Sequence, residues 1–116
     1  MATLTHQLLS GSTNGRPIKV VATATAGTLL HTAVAGTSSI DKVYLYLNNT
    51  STAAVLATVE FGGATSPDDL IEASIPAESG PVLVVPGLPL QNGLTVRCCA
   101  ASANVINATG SVHRVV

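Results

Sequence analysis

The side chains best suited to chemistry in this sequence are three histidines, His6, His31 and His113, the neighbouring thiols of Cys98 and Cys99, and the Asp68–Asp69 pair. A zinc site legible in sequence needs imidazoles or thiolates a few residues apart, and these histidines stand far apart in the chain. Polar strand and loop positions are the simpler reading for all three. Cys99 could meet His31 or His113 on one sheet face as a nucleophile pair, but no cationic setting is visible that would lower the thiol pKa. Adjacent cysteines on a strand point to opposite faces, which predicts two free thiols. Asp68 and Asp69 follow Pro67, and a calcium loop would need more oxygen ligands at regular spacing. The pair therefore reads as a turn whose carboxylates accept backbone N–H bonds. Asn48-Asn49-Thr50 and Asn107-Ala108-Thr109 match the glycosylation pattern but, without a secretory leader, read as turn residues. The sequence has no phosphate-binding loop, dinucleotide fingerprint or nucleophile elbow. The expectation is a non-enzymatic protein with no catalytic residue, no cofactor and no metal.

Only 9% of the 116 residues are charged, 47% are hydrophobic, and the polar remainder is dominated by Thr, Ser, Asn and Gly. Soluble domains average about 25% charged residues, so the surface here must consist of hydroxyls, amides and small apolar groups. Such a surface suits permanent contact with other protein. With a net charge of −1 and its cations scattered over Arg16, Lys19, Lys42, Arg97 and Arg114, the chain has no field to attract nucleic acid or an anionic membrane. Tyr44, Tyr46 and Phe61 are the whole aromatic complement, which leaves little on which bases could stack. No stretch reaches the roughly 20 apolar residues of a membrane span; even Val82 to Leu90 is interrupted by Pro86 and Pro89. Met1 to Arg16 lacks the basic and apolar regions of a signal peptide, so synthesis in the cytoplasm is expected.

Strands must carry these groups. Ile18 to Thr25 alternates with period two, and Thr28 to Val34 follows, with Leu30 and Thr32 facing away from Leu29, His31 and Ala33. Lys42 to Leu47 has the clearest alternation, with Val43, Leu45 and Leu47 inward and Lys42, Tyr44 and Tyr46 outward. Asn48 to Thr52 then reads as a turn into Ala54 to Phe61, which predicts a hairpin. Leu70 to Ile75, Val82 to Val85, Leu94 to Ala101 and Ser111 to Val116 complete the set, with a bend at Pro86-Gly87 and a short break or strand at Asn104 to Asn107. Eight or nine short strands predict an all-β fold, a single β-sandwich with jelly-roll or immunoglobulin-like connections. The Ser, Asn and Gly residues before Pro17 mark a boundary, giving residues 1–16 as an extended N-terminal arm and 17–116 as the sandwich.

Tyr44 and Tyr46, outward beside Lys42, are the candidate interface anchors, because tyrosine brings large contact area at low entropic cost. The alternative is that they cap the domain's own second sheet. Leu4, Leu8 and Leu9 in the arm are candidates for fastening it to a neighbour. Several segments then form a recognisable series: Val43-Tyr44-Leu45-Tyr46 with Asn48-Asn49, Ala53-Ala54-Val55 to Glu60-Phe61-Gly62-Gly63, Asp69-Leu70-Ile71, Ile75-Pro76, and Val84-Val85-Pro86-Gly87-Leu88. In style and order the series resembles the small β-rich structural proteins of tailed bacteriophages, nearest in size and character to capsid decoration, or cement, subunits. The resemblance implies a β-sandwich on the outside of the head, commonly a homotrimer, that braces neighbouring major capsid proteins. The alternative it implies is a tail or fibre-associated protein that binds a host surface or another tail component.

Overall fold

Alternating apolar and polar side chains give a strand one face to bury, and nine such strands form among residues 3–116, which the computed structural model describes. They are β1 (Leu4–Leu8), β2 (Ile18–Lys19), β3 (Thr28–Thr32), β4 (Ile40–Asn49), β5 (Val55–Phe61), β6 (Leu70–Ile75), β7 (Val82–Leu90), β8 (Thr95–Ala100) and β9 (Ile106–Val115). The fold is all-β, as expected. One antiparallel sheet runs β1-β9-β4-β7, with β2 also on β9, and the other runs β3-β8-β5-β6. Val43, Leu45 and Leu47 of β4 meet Val59 of β5, Val96 of β8 and Val112 of β9 in a fully buried core. Each such side chain contributes about 1.5–3 kcal/mol of burial.

The strand pairs nest. β1 pairs with β9, β3 with β8, β4 with β7 and β5 with β6. The chain is thus one long antiparallel hairpin, bent between β5 and β6 and rolled over two layers. That connectivity is a jelly roll rather than an immunoglobulin-like sandwich.

Several local expectations need correction, and buried polar groups account for most of the differences. β4 and β5 do not form a hairpin; they lie in opposite sheets. The Asn49 side chain is buried and builds an arch between them, its amide donating to Ala53 O at 2.8 Å and Ile75 O at 3.0 Å. Its Oδ1 accepts from the Ser51 N–H and hydroxyl. Asn48, Asn49 and Asn107 are therefore strand residues and not turn residues. The strand expected over Ile18 to Thr25 stops at Lys19, because the chain then crosses to the buried Glu60 carboxylate, which accepts from the Thr25 hydroxyl at 2.7 Å and the Gly27 N–H at 2.8 Å.

β7 runs straight through the expected bend at Pro86 and Pro89. It is an edge strand, where a missing N–H costs nothing, and register shifts against β4 absorb the prolines. Asn104 lies in a turn, and the C-terminal strand is longer than expected, starting at Ile106. Gly110 within it lets β9 approach the Tyr44 carbonyl too closely for any Cβ.

The N-terminal segment is built into the sandwich. β1 pairs along its whole length with β9, and Leu9, 3% exposed, packs in the core. The polar stretch before Pro17 is a tight turn, with Asn14 and Gly15 at positive φ and the Arg16 N–H donating to Thr13 O.

Replacing Asn49 with Ala leaves the Ala53 and Ile75 carbonyls without their donor, so Asn49→Ala should lower unfolding free energy by about 2–3 kcal/mol. Urea titration of the two proteins checks this.

Candidate functional site

Residues directly opposite on paired strands share a face, which assigns the outer surface of the β1-β9-β4-β7 sheet. Leu4, His6 and Leu8 lie opposite Val115, His113 and Ser111, and these lie opposite Ile40, Lys42 and Tyr44. Tyr46 continues the row and faces Leu83 across β7. Leu4 and Leu8 are 57% and 58% exposed, Tyr46 is 37% exposed, and Ile40 and Leu83 are exposed as well. The charges on this face are Lys42 and, at its far end, Lys19; the one acid in these strands, Asp41, points inward.

Of the residues expected to form an interface, the fold brings Leu4, Leu8, Tyr44 and Tyr46 onto this one face. Leu9 does not belong with them, being a core side chain. The two tyrosines differ. Tyr44 is half-buried, its ring stacked over Gly87 of β7 and 4.8 Å from the His113 ring. Gly87 has φ +85 and no room for a Cβ beneath that ring. Tyr44 therefore caps its own sheet, and Tyr46 is the projecting one.

Behind this face sits a charged cluster that was not singled out from sequence. Asp41 of β4 is fully buried; its Oδ1 accepts from Arg114 Nε at 2.7 Å, and its Oδ2 accepts from Arg114 Nη2 at 3.0 Å and the Val34 N–H at 3.0 Å. His31 Nε2 lies 2.9 Å from Oδ2, while the Ser10 N–H donates to His31 Nδ1 at 3.0 Å. That acceptor role at Nδ1 puts the ring proton on Nε2, which donates to Asp41. Burial by itself pushes the Asp41 carboxyl up, but the hydrogen bonds from Arg114 and His31 and the guanidinium charge prevail and hold it below the usual carboxylate range.

The signal for the cluster was present in the alternation. Asp41 falls in phase with Val43, Leu45 and Leu47, and Arg114 with Val112, so both had to point inward. His31 was harder to read: a register shift between Leu29 and His31 turns both Leu30 and His31 into the core.

The candidate thiol–imidazole pair does not converge. His31 faces the core while Cys99 lies on the outer side of β8, so that pair is not formed. Both thiols are free; burial pushes Cys98 up to about 12 and raises Cys99 as well, the reverse of activation. Asp69 does what a turn carboxylate does, accepting from the Thr65 N–H at 3.0 Å. Shallow grooves of about 260 and 310 Å³ flank Arg16 and Pro17 but gather no acid, histidine or thiol. No family model, curated protein or solved structure matches the chain.

The depressed Asp41 pKa has a sign. The carboxylate's contribution to stability is complete above its unfolded value of about 3.9 and is lost as pH falls through that value toward the lower folded one. Acid titration of unfolding free energy should therefore show a fall below about pH 4 that is missing in Asp41→Asn. At neutral pH the same variant should be destabilised by about 3–5 kcal/mol, the cost of breaking a buried ion pair.

Proposed function

We propose that this protein is a structural subunit of a bacteriophage particle, a capsid decoration protein that docks by the outer face of its β1-β9-β4-β7 sheet. The observation that carries the reading is that face: exposed Leu4, Leu8, Ile40, Tyr46 and Leu83 share it, on either side of the His6–His113–Lys42 row, and no side-chain carboxylate of its strands points outward. Exposed apolar surface of this kind, on a molecule so poor in charge, is stabilised by being covered. The jelly roll adds support by analogy, since that architecture recurs in viral capsid domains and also in lectins and cupins. In the proposed role the subunit bridges neighbouring major capsid proteins, with copies of itself completing a trimer. It adds buried area across their junctions, so the shell tolerates more heat. It works without catalysis, at the capsid exterior.

The proposed docking face is preformed, because the N-terminal segment is paired internally. Leu4 and Leu8 belong to the docking surface because β1 is fixed on β9.

Phage particles carrying the subunit should disrupt at a higher temperature than particles lacking it. Tyr46→Lys combined with Leu83→Lys should leave the fold intact and abolish attachment. Equal disruption temperatures, or full attachment of the double variant, would overturn the reading.

A further inference from the structure

The same face holds a second feature that the proposed role does not use. His6 of β1 and His113 of β9 are direct register partners, brought together from opposite ends of the chain by the β1–β9 pairing. Their ring centres are 4.5 Å apart, with the planes at 75°. Two imidazoles bound to one ion at metal–nitrogen distances of about 2.1 Å place their ring centres roughly 4.6 Å apart at a right-angled ligand pair and roughly 5.3 Å apart at a tetrahedral one. The edge-to-face pair is thus close to the separation of two right-angled ligands, and rotation of the exposed His6 ring is the adjustment that chelation requires.

Among the described residues, neither His6 nor His113 forms a side-chain hydrogen bond, whereas His31 has both ring nitrogens engaged by Ser10 and Asp41. The His6 side of the pair is open to solvent, and His113 is half-buried, with its ring centre 4.8 Å from that of Tyr44. We propose that His6 and His113 together bind one divalent first-row transition ion, such as Ni²⁺, Zn²⁺ or Cu²⁺, with water in the remaining positions. Imidazole donors suit these ions and do not suit Ca²⁺ or Mg²⁺.

Lys42 lies opposite His113 on β4, and its ammonium opposes a bound cation. No carboxylate on this face compensates. The site also couples to the fold: the ion links the first strand to the last, so binding opposes their separation and raises the unfolding temperature.

The test uses the full, untagged chain at neutral pH and Ni²⁺ as the probe. Binding is followed by calorimetry and by quenching of tyrosine fluorescence, which is informative because the chain has no tryptophan. The expected result is one ion per chain, with quenching that originates at Tyr44. His6→Ala and His113→Ala should each weaken binding by about tenfold or more, since losing a ligand costs at least as much as losing its outer-shell partner. Lys42→Gln should tighten it at low salt. In NMR spectra, Ni²⁺ should broaden the ring signals of His6 and His113 well before those of His31. Circular dichroism shows whether each variant keeps the fold. Undiminished Ni²⁺ affinity in the folded His6→Ala/His113→Ala double variant, or no binding to the natural chain at millimolar Ni²⁺, would overturn the proposal. The measurement is made without any capsid, so it stands or falls independently of docking.

Discussion

The Asp41 carboxylate is the point on which the arrangement of this protein turns. It is fully buried and takes hydrogen bonds from Arg114 beside it on β9, from His31 in the facing sheet, and from the Val34 backbone in the β3–β4 connection. His31 in turn holds Ser10. A buried ion pair adds little net stability over well-packed apolar substitutes, but breaking it is expensive. Its consequence is selectivity among arrangements. If β4 slipped by one residue on β9, Asp41 would turn to solvent and Arg114 and His31 would lose their shared acceptor, while the apolar residues of β4 would leave the core.

That constraint explains how a chain with so few charges presents a defined outer face. The nested pairs of a jelly roll bring β1 and β9, the two ends of the sequence, to adjacent positions, and such long-range pairing is entropically demanding. The Asp41 cluster joins the same regions from inside: Ser10 just after β1, His31 on β3, Asp41 on β4 and Arg114 near the end of β9. With β1 fixed, Leu4, His6 and Leu8 share one surface with His113, Tyr44 and Tyr46. Both the proposed docking face and the imidazole pair depend on this registration of the first strand against the last.

Period-two alternation made much of this legible. It identified the all-β class, the inward row of Val43, Leu45 and Leu47, and the outward row of Lys42, Tyr44 and Tyr46. It also contained the inward phase of Asp41 and Arg114, although charged side chains ordinarily face solvent. What it could not give was decided by contacts between residues distant in sequence. Asn49 reads as a turn residue, but its buried amide reaches Ala53 and Ile75, and Glu60 is buried only because the loop leading to Gly27 covers it. The segment before Pro17 has the composition of an arm, yet the β1–β9 pairing, the buried side chain of Leu9 and the bond from Ser10 to His31 together incorporate it. The outer face, too, was only half legible: Tyr44 and Tyr46 were read as equals, but one covers Gly87 and the other projects.

β1 is a fixed part of the sandwich, held by β9 along its edge and by the Asp41 cluster behind it. Amide hydrogen exchange on the natural chain tests this most directly. The Ser10 amide and the β1 amides bonded to β9 should exchange slowly, in the same protected class as those of β4 and β9. Exchange of the β1 and Ser10 amides at the rates of an unstructured peptide, with the rest of the sandwich protected, would contradict it.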